Sequence, residues 1–431
     1  MAESTNPNLS KQMIYSVFVR NHSKEATFAK VEEDLGRIRD LGTDILWLMP
    51  IHPTGKAERK GEDGSPYAIA DYWKIDPKMG TEDDLKHLVQ SAHEKGMKVI
   101  LDIVFNHTSP DSKMVQEHPE WFYRDEDGKP YPMFREWSDI VDLDFSSEAL
   151  QDELIRILKH YASIVDGFRC DVASRVPASF WKKARAACNT VKPDLFWLAE
   201  SCHLPFIKFC RDNGRVGESD SALYEAFDVL YDYDAFPYCE KIFEDGKPME
   251  EWVDALIRQD AELPQNAIKL RYLENHDTDR ISQYVKDWPL WKNWTALQFT
   301  LKGMPLVYHG QEIRTSHRPD IFTADPIAWK EDDAAADWIR TLAHLHKTLF
   351  SAQPVIDYEI DETHPVLRIS RDGYAGAFLL AKTEPDALIS TNLKDGIWYN
   401  LFTGTDSEVA DHRMKASDFP VLVQTENETR D

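Results

Sequence analysis

The chain has 431 residues, 42% hydrophobic and 29% charged, which is the composition of a folded globular protein and excludes disorder over most of its length. Its 75 acidic and 50 basic side chains give a formal net charge of −25, which repels phosphate backbones and anionic lipid and argues against nucleic acid or a membrane surface as partner. It contains no run of about 18 apolar residues, so no transmembrane helix is expected.

Residues 1–7 have neither a basic start nor an apolar core, so no secretory leader is read there, and the cytoplasm is the expected location. Strand-like apolar runs then alternate with helical periods. Residues 14–19 read as a strand; Phe28, Val31, Leu35, Ile38 and Leu41 follow at helical spacing, stopped by Gly42. The run 45–49 is the second strand. Leu85, Leu88, Val89 and Ala92 mark a helix ended by Gly96, and 99–105 is the third strand. Leu150, Leu154, Leu158, Tyr161 and Val165 mark another helix. The runs 168–172, 196–199, 227–231, 269–273 and 305–308 bring the strand count to eight. Eight buried strands alternating with helices predict a (β/α)8 TIM barrel of parallel strands.

Two loops are long. Residues 50–72 follow the second strand, and about 40 residues rich in Pro, Asp and aromatics follow the third; loops of that length are usually functional. Beyond residue 350 short runs at 366–369, 377–381, 387–390, 398–402 and 421–423 read as a separate all-β domain. The expected organisation is a barrel in two parts, 1–106 and 146–350, a small insertion subdomain at 107–145, and a C-terminal β-sandwich at 351–431. Five cysteines, Cys170, Cys188, Cys202, Cys210 and Cys239, lack CxxC spacing, so neither a disulfide framework nor a zinc site is expected.

Functional residues of such a barrel sit at the C-terminal strand ends. There this sequence places Asp102 with Asn106 and His107, Arg169 with Asp171, Glu200, Asn275-His276-Asp277, and His309 with Glu312. Arg169 and Asp171, two apart on one strand, face the same side. An arginine beside an aspartate favours the carboxylate, which suits a nucleophile. Glu200 and Asp277 add two more acids, and like charges are relieved by protonating one; Glu200, with no arginine in its own motif, is the candidate. A protonated acid facing a charged carboxylate is the retaining-glycosidase arrangement. A lone strand-end aspartate more often caps a helix, but four such elements in order on one barrel are not explained by capping. Trp121, Phe122, Tyr123, Tyr131, Phe134 and Trp137 cluster in the insertion, where they line a cleft or fill a small core.

The segments Asp102-Ile-Val-Phe-Asn106-His107, Gly167-Phe-Arg169-Cys-Asp171, Glu200 and Asn275-His276-Asp277 together resemble the motifs of the α-amylase family of glycoside hydrolases, as do residues 60–72 and His309-Gly-Gln-Glu312. The resemblance covers nearly the whole chain. It implies a retaining α-glucan hydrolase that cleaves α-1,4-glucosidic bonds of maltooligosaccharides or starch, with an α-glucosidase or α-glucan transglycosylase as the alternative on the same scaffold. A scaffold protein without activity is a third class, which the acidic set argues against. Implied roles are Asp171 as nucleophile, Glu200 as general acid and base, and Asp277 as a holder of sugar hydroxyls. Arg169 would ionise Asp171, His107 and His276 would bind the sugar, Tyr67 would stack on it, and Asp102 would support Arg169.

The implied partners are neutral α-glucan oligosaccharides, and no organic cofactor is implied; the oligomeric state is not specified. The resemblance also implies a calcium ion, for which Asn106 and Asp142 are the nameable ligands. Calcium takes six to eight oxygens, and many family members carry a Lys-His after the nucleophile that helps hold it. Here Val172-Ala173-Ser174-Arg175 stands in that place, so a subdomain held without metal is the open alternative.

Overall fold

The structure is a computed structural model that describes residues 5–330, 332–361 and 363–425; residues 1–4, part of the stretch read for a leader, lie outside these. Eight short strands carry the barrel: β1 (Ile14–Val17), β2 (Ile45–Leu48), β3 (Lys98–Ile103), β4 (Gly167–Cys170), β5 (Phe196–Ala199), β6 (Val229–Tyr231), β7 (Lys269–Arg271) and β8 (Met304–Tyr308). They run in sequence order around a closed sheet, and every hydrogen-bonded pair with a described register is parallel. All their residues except Lys98 are buried, which is why most of the strands read as apolar runs and not as alternating ones; Lys269, Arg271 and Arg169 are buried charges among them.

The chain divides into two units. The first holds Ile14–Tyr233 and Pro319–Trp329, and with them β1 to β6. Several of its helices start at sequence caps: Thr27 and Ser147 each accept a hydrogen bond from the first turn, and Thr81 and Asp84 form a reciprocal capping box. The helix read across 28–41 is two, Phe28–Glu33 and Leu35–Asp40. Asp34 ends the first, and its carboxylate is taken by Arg37 and His22. Register sets the side chains that matter below: Asp102 on β3 pairs with Arg169 on β4, and Arg169 with Leu198 on β5. Gly167 opens β4 because a Cβ there would lie 2.1 Å from the Phe196 carbonyl oxygen.

After β3, His107–Thr108 pairs antiparallel with Val141–Asp142, His107 opposite Asp142. Between them lie a short helix (Lys113–Glu117) and a 3-10 turn (Pro119–Trp121). Trp121 and Phe122 are buried here, whereas Phe134 and Trp137 are half-buried and pack on each other at 4.8 Å.

The second unit holds Pro7–Met13, Asp234–Arg318 and the chain from Lys330, and with it β7 and β8. Its C-terminal part is all-β. An antiparallel sheet runs β9 (Ile356–Ile360), β10 (Val366–Arg371), β11 (Tyr374–Leu379), β12 (Val421–Gln424), beside two ribbons, Leu388–Ser390 with Arg413–Lys415 and Gly396–Asn400 with Thr405–Val409. Val366, Ile389, Trp398, Val409, Met414, Phe419 and Val421 form its core.

Candidate active site

Arg169 is the hub of the first unit's site. Its side chain is 0% exposed, and its guanidinium is shared by three carboxyl groups. Nη1 donates to Asp102 Oδ1 at 2.9 Å and to Asp171 Oδ1 at 2.8 Å, and Nη2 lies 2.8 Å from Glu200 Oε2. Adjacent register on β3, β4 and β5 is the reason these groups converge. Nε donates to the Tyr231 hydroxyl at 3.3 Å, and the rings of Trp47, Tyr67 and Tyr231 surround the cation at 5.2, 5.7 and 5.2 Å. Burial works against the guanidinium charge, but the Asp102 and Glu200 carboxylates outweigh it and hold its pKa well above the usual value.

Asp171 is held by one oxygen only. Oδ1 is bound by Arg169, whereas Oδ2 is buried and accepts no hydrogen bond; His107 Nε2 lies 3.9 Å from it. Burial, then the Glu200 charge, push the Asp171 carboxyl well above the ordinary carboxylate range, against the pull of Arg169. One cation against three carboxylates leaves an excess of two negative charges, which adds to the upward push on Asp171. Glu200, which has no arginine in its own motif, gains one because Arg169 reaches across from the neighbouring strand. Glu200 Oε2 also accepts the Val172 N–H at 2.7 Å. Val172 stands at φ 40°, ψ 44°, a left-handed conformation that a β-branched residue seldom adopts, and that turn aims its N–H at the acid.

His107 Nδ1 accepts from the Asn106 amide at 2.9 Å, which leaves the proton on Nε2. Burial, then the Arg175 charge, push its pKa down to about 3, so the ring is neutral. Tyr67 is half-buried and its hydroxyl donates to Asp102 Oδ2 at 3.2 Å. Thus Asp102, Arg169, Asp171, Glu200, His107 and Tyr67 are brought together.

Asp277 and His276 follow β7 in the second unit. The Asp277 side chain is 40% exposed, with Oδ2 3.1 Å from His276 Nε2, and its N–H donates to Asn275 Oδ1 at 2.8 Å. Arg318 donates to the Asp277 carbonyl at 2.7 Å. A fully buried ion pair, Glu274 with Arg280 at 2.6 Å, braces this turn; Glu274 also accepts the Ile281 N–H, and Arg280 donates to the His309 carbonyl.

Asn106 and Asp142, the two residues named for calcium, have partners within the chain. Asp142 Oδ2 is taken by Arg175 Nη2 at 2.6 Å and by the Met133 N–H at 3.0 Å, and the Asn106 amide points at His107. Among the described residues no group of three or more His, Cys, Asp or Glu could hold a metal. Sequence reading missed Tyr231 and Trp47, which look like core, and missed what Arg175 and the Glu274–Arg280 pair do. An ionisable residue inside an apolar strand end was the available signal for the last of these.

Comparison with known proteins follows the same lines. The family profile for the alpha amylase catalytic domain matches residues 20–348. The crystal structure of an alpha-amylase from Lactobacillus plantarum superposes with a TM-score of 0.90 at 42% identity, covering 97% of this chain and 99% of that one. A noncanonic maltogenic alpha-amylase, AmyB from Thermotoga neapolitana, gives 0.82 at 33% identity, with 97% of each chain covered. Among curated sequences, alpha-amylase MalA of Haloarcula japonica is 29% identical over 367 residues, which are 81% of this chain and 50% of that protein. This chain thus spans about half the length of that relative.

Proposed function

Because the chain belongs to the alpha-amylase family of glycoside hydrolases, we propose that it cleaves α-1,4-glucosidic bonds of maltooligosaccharides or starch by double displacement with retention. The observation that carries this reading is the state of Asp171: one oxygen is pinned by Arg169, the other is buried and unbonded, and Glu200 is held by the same guanidinium. A purely structural ion-pair cluster would satisfy both oxygens.

In the first step Asp171 Oδ2 attacks the anomeric carbon. The bond to the leaving sugar breaks, and Glu200 gives its proton to the departing oxygen. On binding, the glycosidic oxygen accepts a hydrogen bond from the Glu200 carboxyl while Arg169 stabilises the Asp171 anion. In the second step Glu200 takes a proton from water, the water oxygen attacks the anomeric carbon, and Asp171 departs as carboxylate. Neutral His107 donates to a sugar hydroxyl through Nε2–H. Tyr67 offers a ring to an apolar sugar face, and Asp102 buttresses Arg169. By family resemblance Asp277 and His276 bind sugar hydroxyls. The substrate is a neutral α-glucan. Five cysteines, none in a disulfide, suit the reducing cytoplasm as the working compartment.

The test is digestion of maltoheptaose, followed by chromatography and proton NMR. Short maltooligosaccharides whose new reducing ends are first α-anomers are expected. Early β-anomers would overturn double displacement, and products longer than the substrate would favour the transglycosylase.

A further inference from the structure

Asp142 ends the ribbon that ties the segment after β3 together, and its carboxylate is 1% exposed. The cation it meets belongs to the chain. Arg175 closes the 3-10 turn Ala173–Arg175, four residues after Asp171; its side chain is 3% exposed, and Nη2 lies 2.6 Å from Asp142 Oδ2. The guanidinium also lies 5.3 Å from the Phe134 ring and 5.8 Å from the Trp137 ring, both in the same segment. A planar cation is thus held between a carboxylate and two aromatic faces, an arrangement that suits arginine and not a hydrated metal ion.

We infer that Arg175 supplies from within the chain the positive charge that a calcium ion would bring to Asp142, so that the segment after β3 stays folded on the barrel without a metal. Asp142 Oδ1 accepts no hydrogen bond. An ion seated on it would stand within a few ångströms of the guanidinium, like charge against like charge, and among the described residues no group of three or more His, Cys, Asp or Glu could hold it. The inference rests on this ion pair alone and does not depend on the reaction proposed above.

The experiment uses the full chain, dialysed against EDTA or against calcium chloride. Metal content is read by plasma mass spectrometry and Tm by scanning calorimetry. No stoichiometric calcium and the same Tm in both buffers are expected. One retained equivalent of calcium, or a lower Tm in EDTA, would overturn the inference, and neither readout requires activity. Arg175→Ala, which leaves a buried carboxylate bare, is expected to lose about 3–6 °C in Tm in EDTA. A variant as stable as the wild type would also overturn it, and if the variant fails to fold, the wild-type comparison still decides.

Discussion

Replacing Arg169 by methionine removes the cation and keeps most of the side-chain volume. Its guanidinium lies 2.8 Å from the Asp171 and Glu200 oxygens and 2.9 Å from Asp102. Two unit charges about 4 Å apart interact by about 4 kcal/mol at an effective dielectric of about 20. Losing that attraction removes the one charge that pulls the Asp171 pKa down, so the carboxyl is pushed up further. A carboxyl already held above its usual range by burial and by Glu200 then holds its proton more tightly, and a protonated acid cannot attack. kcat should therefore fall about 10³-fold at neutral pH and recover partly toward alkaline pH, as the limb that reports nucleophile ionisation moves up. The assay is the pH profile of kcat and kcat/KM on a chromogenic maltooligoside, with circular dichroism to show that the variant is folded. A folded Arg169→Met variant with kcat within about tenfold of wild type and an unmoved pH profile would refute the electrostatic reasoning.

Three further outcomes follow from the same geometry. Asp171→Asn should lower kcat about 10³-fold or more yet raise Tm at neutral pH. Asp171 holds its proton more tightly folded than unfolded, so its contribution to stability is present at acid pH and lost as pH rises; the Tm gain should shrink on acidification, and a lower Tm at neutral pH would contradict this. Burial, then the charges of Glu244 and Asp279, push Glu240 from 4.5 up to about 7, so stability should decline between those values as pH rises. Urea melts across that range should show the decline flattened in Glu240→Gln, and an unchanged slope would count against it. Arg280→Ala leaves Glu274 buried without its partner and should cost about 3–5 kcal/mol, read as a lower urea midpoint; an unchanged midpoint would show that the pair does not brace the turn.

The barrel was legible because most parallel strands buried on both faces are written as apolar runs; Lys269–Arg271, with two basic residues among three, is the exception. The C-terminal part was less legible. Ile356–Ile360 alternates buried and exposed residues, and Thr405–Val409 and Arg413–Lys415 are mostly polar, so neither appears as an apolar run. At the site, residue types at strand ends were readable, but partnerships across strands were not. Glu200 has no arginine within its own motif and acquires Arg169 only through the register of β4 and β5. Likewise, Arg175 was visible only as a departure from the family's Lys-His, because its partner Asp142 lies 33 residues away in sequence. The excess of negative charge on Asp171 and Glu200 is a property of that three-dimensional arrangement and belongs to no motif.

The claim on which the account depends is that Asp171 forms a bond to the sugar. An activated fluorinated α-glucoside, whose fluorine slows breakdown of the glycosyl-enzyme, should leave one glycosyl unit on the protein. Peptide mass spectrometry should place that unit on Asp171 and find none on the Asp171→Asn variant. An adduct on Glu200 or on any other carboxylate, or rapid turnover of the reagent by the Asp171→Asn variant, would contradict it.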